Sequence, residues 1–182
     1  MTSRLTLRPA LSALLAVCLW AGVAAQPASA DARTVATVTI PGLATMAVAQ
    51  QLDGKPGFVS TAARTVTQFG LAARYGVTGL LAHNDLAGKA FFNLVVGQEI
   101  KVGYSDGGVQ TYRIIGVYRF QALDPLSPRS LFVDLDGGRT ITSAELFAQM
   151  YTGGDRVVFQ TCIKRDGNLS WGRLFVVTER VN

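Results

Sequence analysis

The chain has 182 residues, 49% hydrophobic and 16% charged, with a formal net charge of +5; this composition excludes a disordered chain, and the length allows about one ordinary domain beyond a targeting segment. The basic residues are scattered and no helix-turn-helix, zinc-finger or RNA-binding signature accompanies them, so nucleic acid is not expected as a partner. No internal repeat or low-complexity tract interrupts the pattern.

Residues 1–30 read as a secretory signal peptide, with Arg4 and Arg8 as a basic start, residues 10–25 as an apolar run, and Ala28-Ser29-Ala30 as a small-residue cleavage site. The run falls short of the about 20 residues that a bilayer span needs, and retention as a membrane anchor is the alternative to cleavage. The expected location is therefore extracytoplasmic, secreted or in the cell envelope. Val17 stands before Cys18 where a bacterial lipobox wants a small residue. Because Cys18 belongs to the signal, the exported chain, residues 31–182, keeps one thiol, Cys162, and forms no internal disulfide.

Residues 33–40 alternate as a first strand, which Pro41-Gly42 stops, and residues 43–52 are ambiguous. After a loop at 53–57, Ala62, Ala63, Val66, Phe69 and Ala73 recur at helical spacing, so one helix, broken or whole, is expected within 60–75. The apolar run 77–82 reads as a buried strand that delivers His83, the one histidine, and Asn84 at its end. Asn84 and Asp85 either orient the imidazole or start the turn. Residues 86–94 suggest one or two helical turns that bury Phe91, Phe92 and Leu94. A hairpin follows from strands at 99–104 and 109–123, then a strand at 131–135. Thr142 and Glu145 form a capping box for a helix through Met150.

The closing stretch, residues 156–177, reads as two strands around Asp166-Gly167, a strong signal for a two-residue type I′ hairpin. A two-residue loop pairs Cys162 with Trp171 and Gln160 with Arg173. Gln160, Cys162, Trp171 and Arg173 then share one face, and Val157, Phe159, Ile163, Leu174 and Val176 the other. The thiol lies diagonally from the guanidinium, about 7–8 Å between backbones. Seven or so strands with few short helices give a mainly β fold, a small barrel whose closure removes exposed edges.

Cysteine, histidine and arginine suffice for thiol acyl transfer: a sulfur attacks a carbonyl carbon, an imidazole moves protons, and a planar cation holds the oxygen as charge develops. In Leu80-Leu81-Ala82-His83-Asn84, Phe159-Gln160-Thr161-Cys162 and Trp171-Gly172-Arg173-Leu174-Phe175-Val176, the chain resembles the sortases, secreted bacterial cysteine transpeptidases. The similarity extends through Phe92-Asn93-Leu94 and Gly97-Gln98-Glu99-Ile100. It implies a closed barrel of seven to eight strands with His83, Cys162 and Arg173 catalytic, and with Thr161, Trp171, Gln160 and Asn84 along the peptide groove. Strict alternation turns Thr161 inward, so a groove position requires a local irregularity. The resemblance further implies no cofactor, a sorting-signal peptide as acyl donor, an acceptor amine on the cell envelope or a pilin-like protein, and a monomer. Relatives often carry Gly where Ala82 stands and Thr where Val158 stands, and residues 137–155 correspond to their signal-reading loop, so the usual Leu-Pro-X-Thr-Gly specificity does not carry over.

An L,D-transpeptidase would want histidine and glycine immediately before the cysteine, where Gln160-Thr161 stands. A papain-like enzyme places its cysteine before its histidine. The remaining alternative is an exported binding or structural barrel in which Cys162 is a packed residue.

Overall fold

In the computed structural model, which describes residues 33–182, the chain runs through β1 (Val35–Ile40), β2 (Ala44–Gln50), β3 (Thr65–Gln68), α1 (Gly70–Ala73), β4 (Val77–Ala82), a 3₁₀ helix (Ala87–Asn93), β5 (Glu99–Tyr104), β6 (Val109–Ala122), β7 (Leu131–Asp134), β8 (Thr140–Thr142), α2 (Ser143–Tyr151), β9 (Arg156–Arg165) and β10 (Asn168–Arg180). The signal reading falls on residues outside this range. Among the described residues no helix is long and apolar enough to cross a membrane.

Strand order is β10-β9-β4-β3-β2-β1-β5-β6, and β6 pairs back to β10, so eight strands close into a mixed barrel. Closure depends on the length of β6: residues near its start pair with β5, and those from Tyr112 to Gln121 pair with β10. Its last residues carry β7, which carries β8, as a flap beside the barrel. The mainly β barrel expected from the sequence is therefore present.

Two apolar clusters hold it. The barrel interior takes Val38, Ile100, Phe159, Leu174 and Val176, and the 3₁₀ helix closes one end by setting Phe91 edge-on to Phe159 at 5.0 Å. Outside the barrel, Val158, Phe175 and Val177 meet Phe132, Leu146, Met150 and Tyr151 from the flap and α2. Strand β9 is thus covered on both faces over Val157–Phe159, which accounts for its unbroken apolar run. Each fully buried Phe contributes about 1.5–3 kcal/mol.

Several sequence expectations change. Residues 60–75 do not form one helix: Thr65–Gln68 is a strand, parallel to β2 and antiparallel to β4, and only Gly70–Ala73 is helical. Val66 fills the barrel while Thr67 Oγ1 accepts the Ser60 N–H at 2.8 Å, so pairing on both edges overrides the helical spacing. The ambiguous residues 43–52 supply β2. Phe92 is 42% exposed, whereas Phe91 and Leu94 are buried, because the tight 3₁₀ turn cannot aim adjacent side chains the same way.

The capping box forms as read. Thr142 Oγ1 accepts the Glu145 N–H at 3.2 Å, and Glu145 Oε2 accepts the Thr142 N–H at 2.8 Å. The Thr142 N–H foremost, then the Thr142 hydroxyl, which donates to Glu145 Oε2 at 2.9 Å, with Arg139 adding charge, hold the Glu145 carboxyl below its ordinary range. A depressed folded value means that the contribution is present above the ordinary carboxylate range and is lost as pH falls through the folded value. Thr142→Ala is expected to cost about 1 kcal/mol. Glu145→Gln is expected to remove part of the acid-side loss of melting temperature; thermal melts from neutral to acidic pH check both.

Candidate active site

Three neighbouring strands bring His83, Cys162 and Arg173 into one row. β4 runs parallel to β9, with Ala82 level with Thr161. Both of these side chains are buried; Cys162, the next residue of β9, leaves on the outer face, and His83, the residue just past the end of β4, is exposed beside it in sequence register. On the other side of β9, Cys162 pairs directly with Arg173.

That pairing corrects the hairpin register. Asp166 and Gly167 both have positive φ, 50° and 80°, as a type I′ turn requires, and Asn168 pairs with Arg165 as expected. Beyond it, β10 advances from Asn168 to Gly172 while β9 retreats only from Arg165 to Ile163. Cys162 therefore faces Arg173 rather than Trp171, and Gln160 faces Phe175 rather than Arg173. Two extra residues leave the alternation intact beyond the bulge, which is why Gln160, Cys162 and Arg173 still share one face. Gly172 permits this: a Cβ there would lie 2.5 Å from the Phe120 carbonyl oxygen. Trp171 stands in the bulged stretch and carries the Arg165 guanidinium 4.7 Å from its ring centroid.

Cys162 is a free, partly exposed thiol. The Arg173 guanidinium is fixed by backbone carbonyls: Nη1 donates to Ser170 and Gly172, both at 2.9 Å, and Nη2 to Pro125 at 3.2 Å. Those bonds use three of the five donors that a guanidinium carries, and no carboxylate among the described residues forms an ion pair with it. Two N–H groups remain for an oxygen arriving in the groove.

The exposed His83 ring is turned toward Val59, whose carbonyl lies 3.3 Å from Nε2. A carbonyl only accepts, so Nε2 carries the proton in that contact and a neutral ring offers Nδ1 as its acceptor. Val59 belongs to the segment leading into β3, on the opposite side of β4 from β9. Among the described residues no hydrogen bond joins His83 to Cys162. Asn84 does not orient the imidazole: its Nδ2 donates to Leu169 O at 2.9 Å, tying the turn after β4 to the start of β10.

Thr161 does not line the groove with its side chain. It is 2% exposed and donates to Ala82 O at 2.8 Å, as strict alternation requires. Gly88 packs against it, and its N–H donates to His83 O at 3.0 Å. A Cβ at Gly88 would lie 2.4 Å from Thr161 Oγ1 and 2.6 Å from His83 O. Gly88→Ala is therefore expected to cost about 1–3 kcal/mol and to displace the turn that bears His83. Melting temperature and the ring-proton resonances of the one histidine report both effects; unchanged resonances would contradict the displacement.

Two depressions flank the row. One, of about 280 Å³, is lined by Gln160, Arg173, Tyr151, Phe69, Phe147 and Phe175 among others. The second, of about 460 Å³, is lined by Asn84, Asp85, Lys89, Phe92, Ile163, Lys164 and Leu169. The sequence reading missed Gly88 and Tyr151. Neither carries a local signal, since one matters for a backbone approach and the other sits as an ordinary apolar-stripe residue at the end of α2.

Neither a family sequence model nor a curated protein sequence matches the chain. Solved structures do. Sortase A from Corynebacterium diphtheriae superposes with a TM-score of 0.55 at 13% identity, over 82% of this chain and 62% of that one. Sortase C1 from Streptococcus suis gives 0.55 at 12% identity, over 82% and 74%. Sortase C-1 from Actinomyces oris gives 0.53 at 18% identity, over 84% and 75%. The chain thus spans about 62% of the length of the Corynebacterium sortase, and at such identities the likeness is one of architecture. With eight strands closed into a mixed barrel, the chain has the sortase fold.

Proposed function

We propose that this chain is a sortase-like cysteine transpeptidase acting on a peptide of an exported protein outside the cytoplasm. The observation that supports the reading is the strand pairing: Ala82, just before His83, pairs with Thr161, just before Cys162, and Arg173 pairs with Cys162 itself. Cys162 gives its proton to the neutral His83 ring, and the resulting thiolate attacks a peptide carbonyl carbon while the two unspent N–H groups of Arg173 take the oxygen. The C–N bond then breaks, His83 gives a proton to the departing amine, and a thioester remains on Cys162. An acceptor amine, on the cell envelope or a pilin-like protein, loses a proton to His83 and attacks the thioester. The new amide leaves and the thiolate returns; water in place of the amine gives hydrolysis.

His83 must leave Val59 to serve. Its ring is exposed, and exposed side chains change rotamer in picoseconds to nanoseconds, so the swing gives up one surface hydrogen bond. The partial exposure of Cys162 favours this reading over a packed structural thiol.

The test is incubation with a broad library of extended peptides, randomised on both sides of the scissile bond, together with a glycine-based amine, followed by mass spectrometry. Chain-dependent amide products are expected. Product levels equal to those without the chain, for folded protein, would sink the proposal.

A further inference from the structure

The smaller depression beside Arg173 contains a side chain whose orientation is set from behind. Gln160 stands two residues before Cys162 on the same face, about 7 Å along the strand. Its Oε1 accepts a hydrogen bond from the Tyr151 hydroxyl. Tyr151 is 2% exposed and boxed by Phe69 at 5.3 Å, Phe147 at 5.2 Å and Phe175 at 6.2 Å between ring centroids, so its ring cannot turn away. Burial raises its pKa, and the hydroxyl keeps the one proton it donates. An amide whose oxygen is held on one side presents its NH₂ on the other. Gln160 Nε2 has no protein acceptor among the described residues, and the depression it borders also holds Arg173.

We propose that Tyr151 is a positioning residue acting through Gln160: by capturing Oε1 it aims the Nε2 hydrogens into the groove, where they bind a carbonyl of the acyl-donor peptide while the neighbouring aromatic wall takes an apolar side chain. The inference rests on the transpeptidase reading and adds the substrate feature that this part of the groove reads. In an extended peptide, carbonyls recur about every 3.3 Å, so a carbonyl about two residues from the scissile bond falls level with Gln160. The ligand class is an extended peptide with an acceptor at that position and an apolar residue beside it.

The experiment takes the best-turned-over peptide of that library and measures KM, kcat and melting temperature for wild type, Tyr151→Phe, Gln160→Leu, Gln160→Glu and the Tyr151→Phe/Gln160→Leu double variant. Losing one neutral hydrogen bond corresponds to about a three- to tenfold rise in KM, expected for each single variant with kcat nearly unchanged. Gln160→Glu keeps the acceptor for Tyr151 and lacks the donors, so it tests the groove side even if Tyr151→Phe folds poorly. The double variant is expected to be no worse than Gln160→Leu alone. An unmoved KM in Tyr151→Phe or Gln160→Glu, or a full additional Tyr151→Phe effect in the Gln160→Leu background, overturns the inference while leaving transpeptidation intact. Absence of wild-type turnover overturns both.

Discussion

Cys162→Ala is expected to lower peptide transfer by roughly 10⁴-fold or more, the scale on which loss of a nucleophile acts in acyl-transfer enzymes, while the barrel stays folded. The contrast comes from where the side chain points. The neighbours of Cys162 along β9, Thr161 and Phe159, face the buried interior, and the thiol leaves on the other face, partly open to solvent. Removing a side chain that fills no core space changes stability by about 0.5 kcal/mol or less, a shift of about 1–2 °C for a domain of this size. A packed structural cysteine would give the opposite pair: a clear drop in melting temperature and no chemical phenotype. Melting curves and transfer rates on one preparation decide between them.

Arg173→Lys is expected to lower kcat by about 10²–10³-fold, as removal of a donor to a developing oxyanion does, although the positive charge is kept. The guanidinium reaches Ser170, Gly172 and Pro125 carbonyls at once and still has two N–H groups unspent. An ammonium is a point charge with three donors and cannot both hold those carbonyls and present a planar pair. The Pro125 bond also anchors the segment between β6 and β7, so the lysine variant should loosen the rim of the depression. Steady-state kinetics check this. If the Arg173→Lys variant retained most of kcat, charge alone would suffice and the fork geometry would be irrelevant.

The parts legible in the sequence were those set by local chemistry. Asp166-Gly167 fixed the turn type, Thr142 and Glu145 fixed the start of α2, and alternation through 157–163 and 173–176 assigned faces that the structure keeps. Alternation also outweighed the resemblance at Thr161, whose side chain turns inward as its parity requires. What stayed hidden depends on distant backbone. The bulge in β10 ends at Gly172, where a Cβ would lie 2.5 Å from Phe120 O, and no feature between Asn168 and Gly172 announces it. The helical spacing of Val66 and Phe69 was real but split between two clusters, with Val66 in the barrel and Phe69 against α2. The adjacency of His83 and Cys162 follows from a parallel pairing of β4 with β9, which two strand signals cannot reveal by themselves.

The most direct measurement is the intact mass of the chain quenched in acid during turnover of an active peptide, with fragment mapping of the added group. The account predicts a thioester on Cys162 that accumulates when the amine is withheld and disappears when it is restored. Peptide turnover with an unmodified Cys162, or acylation at another residue, would contradict it.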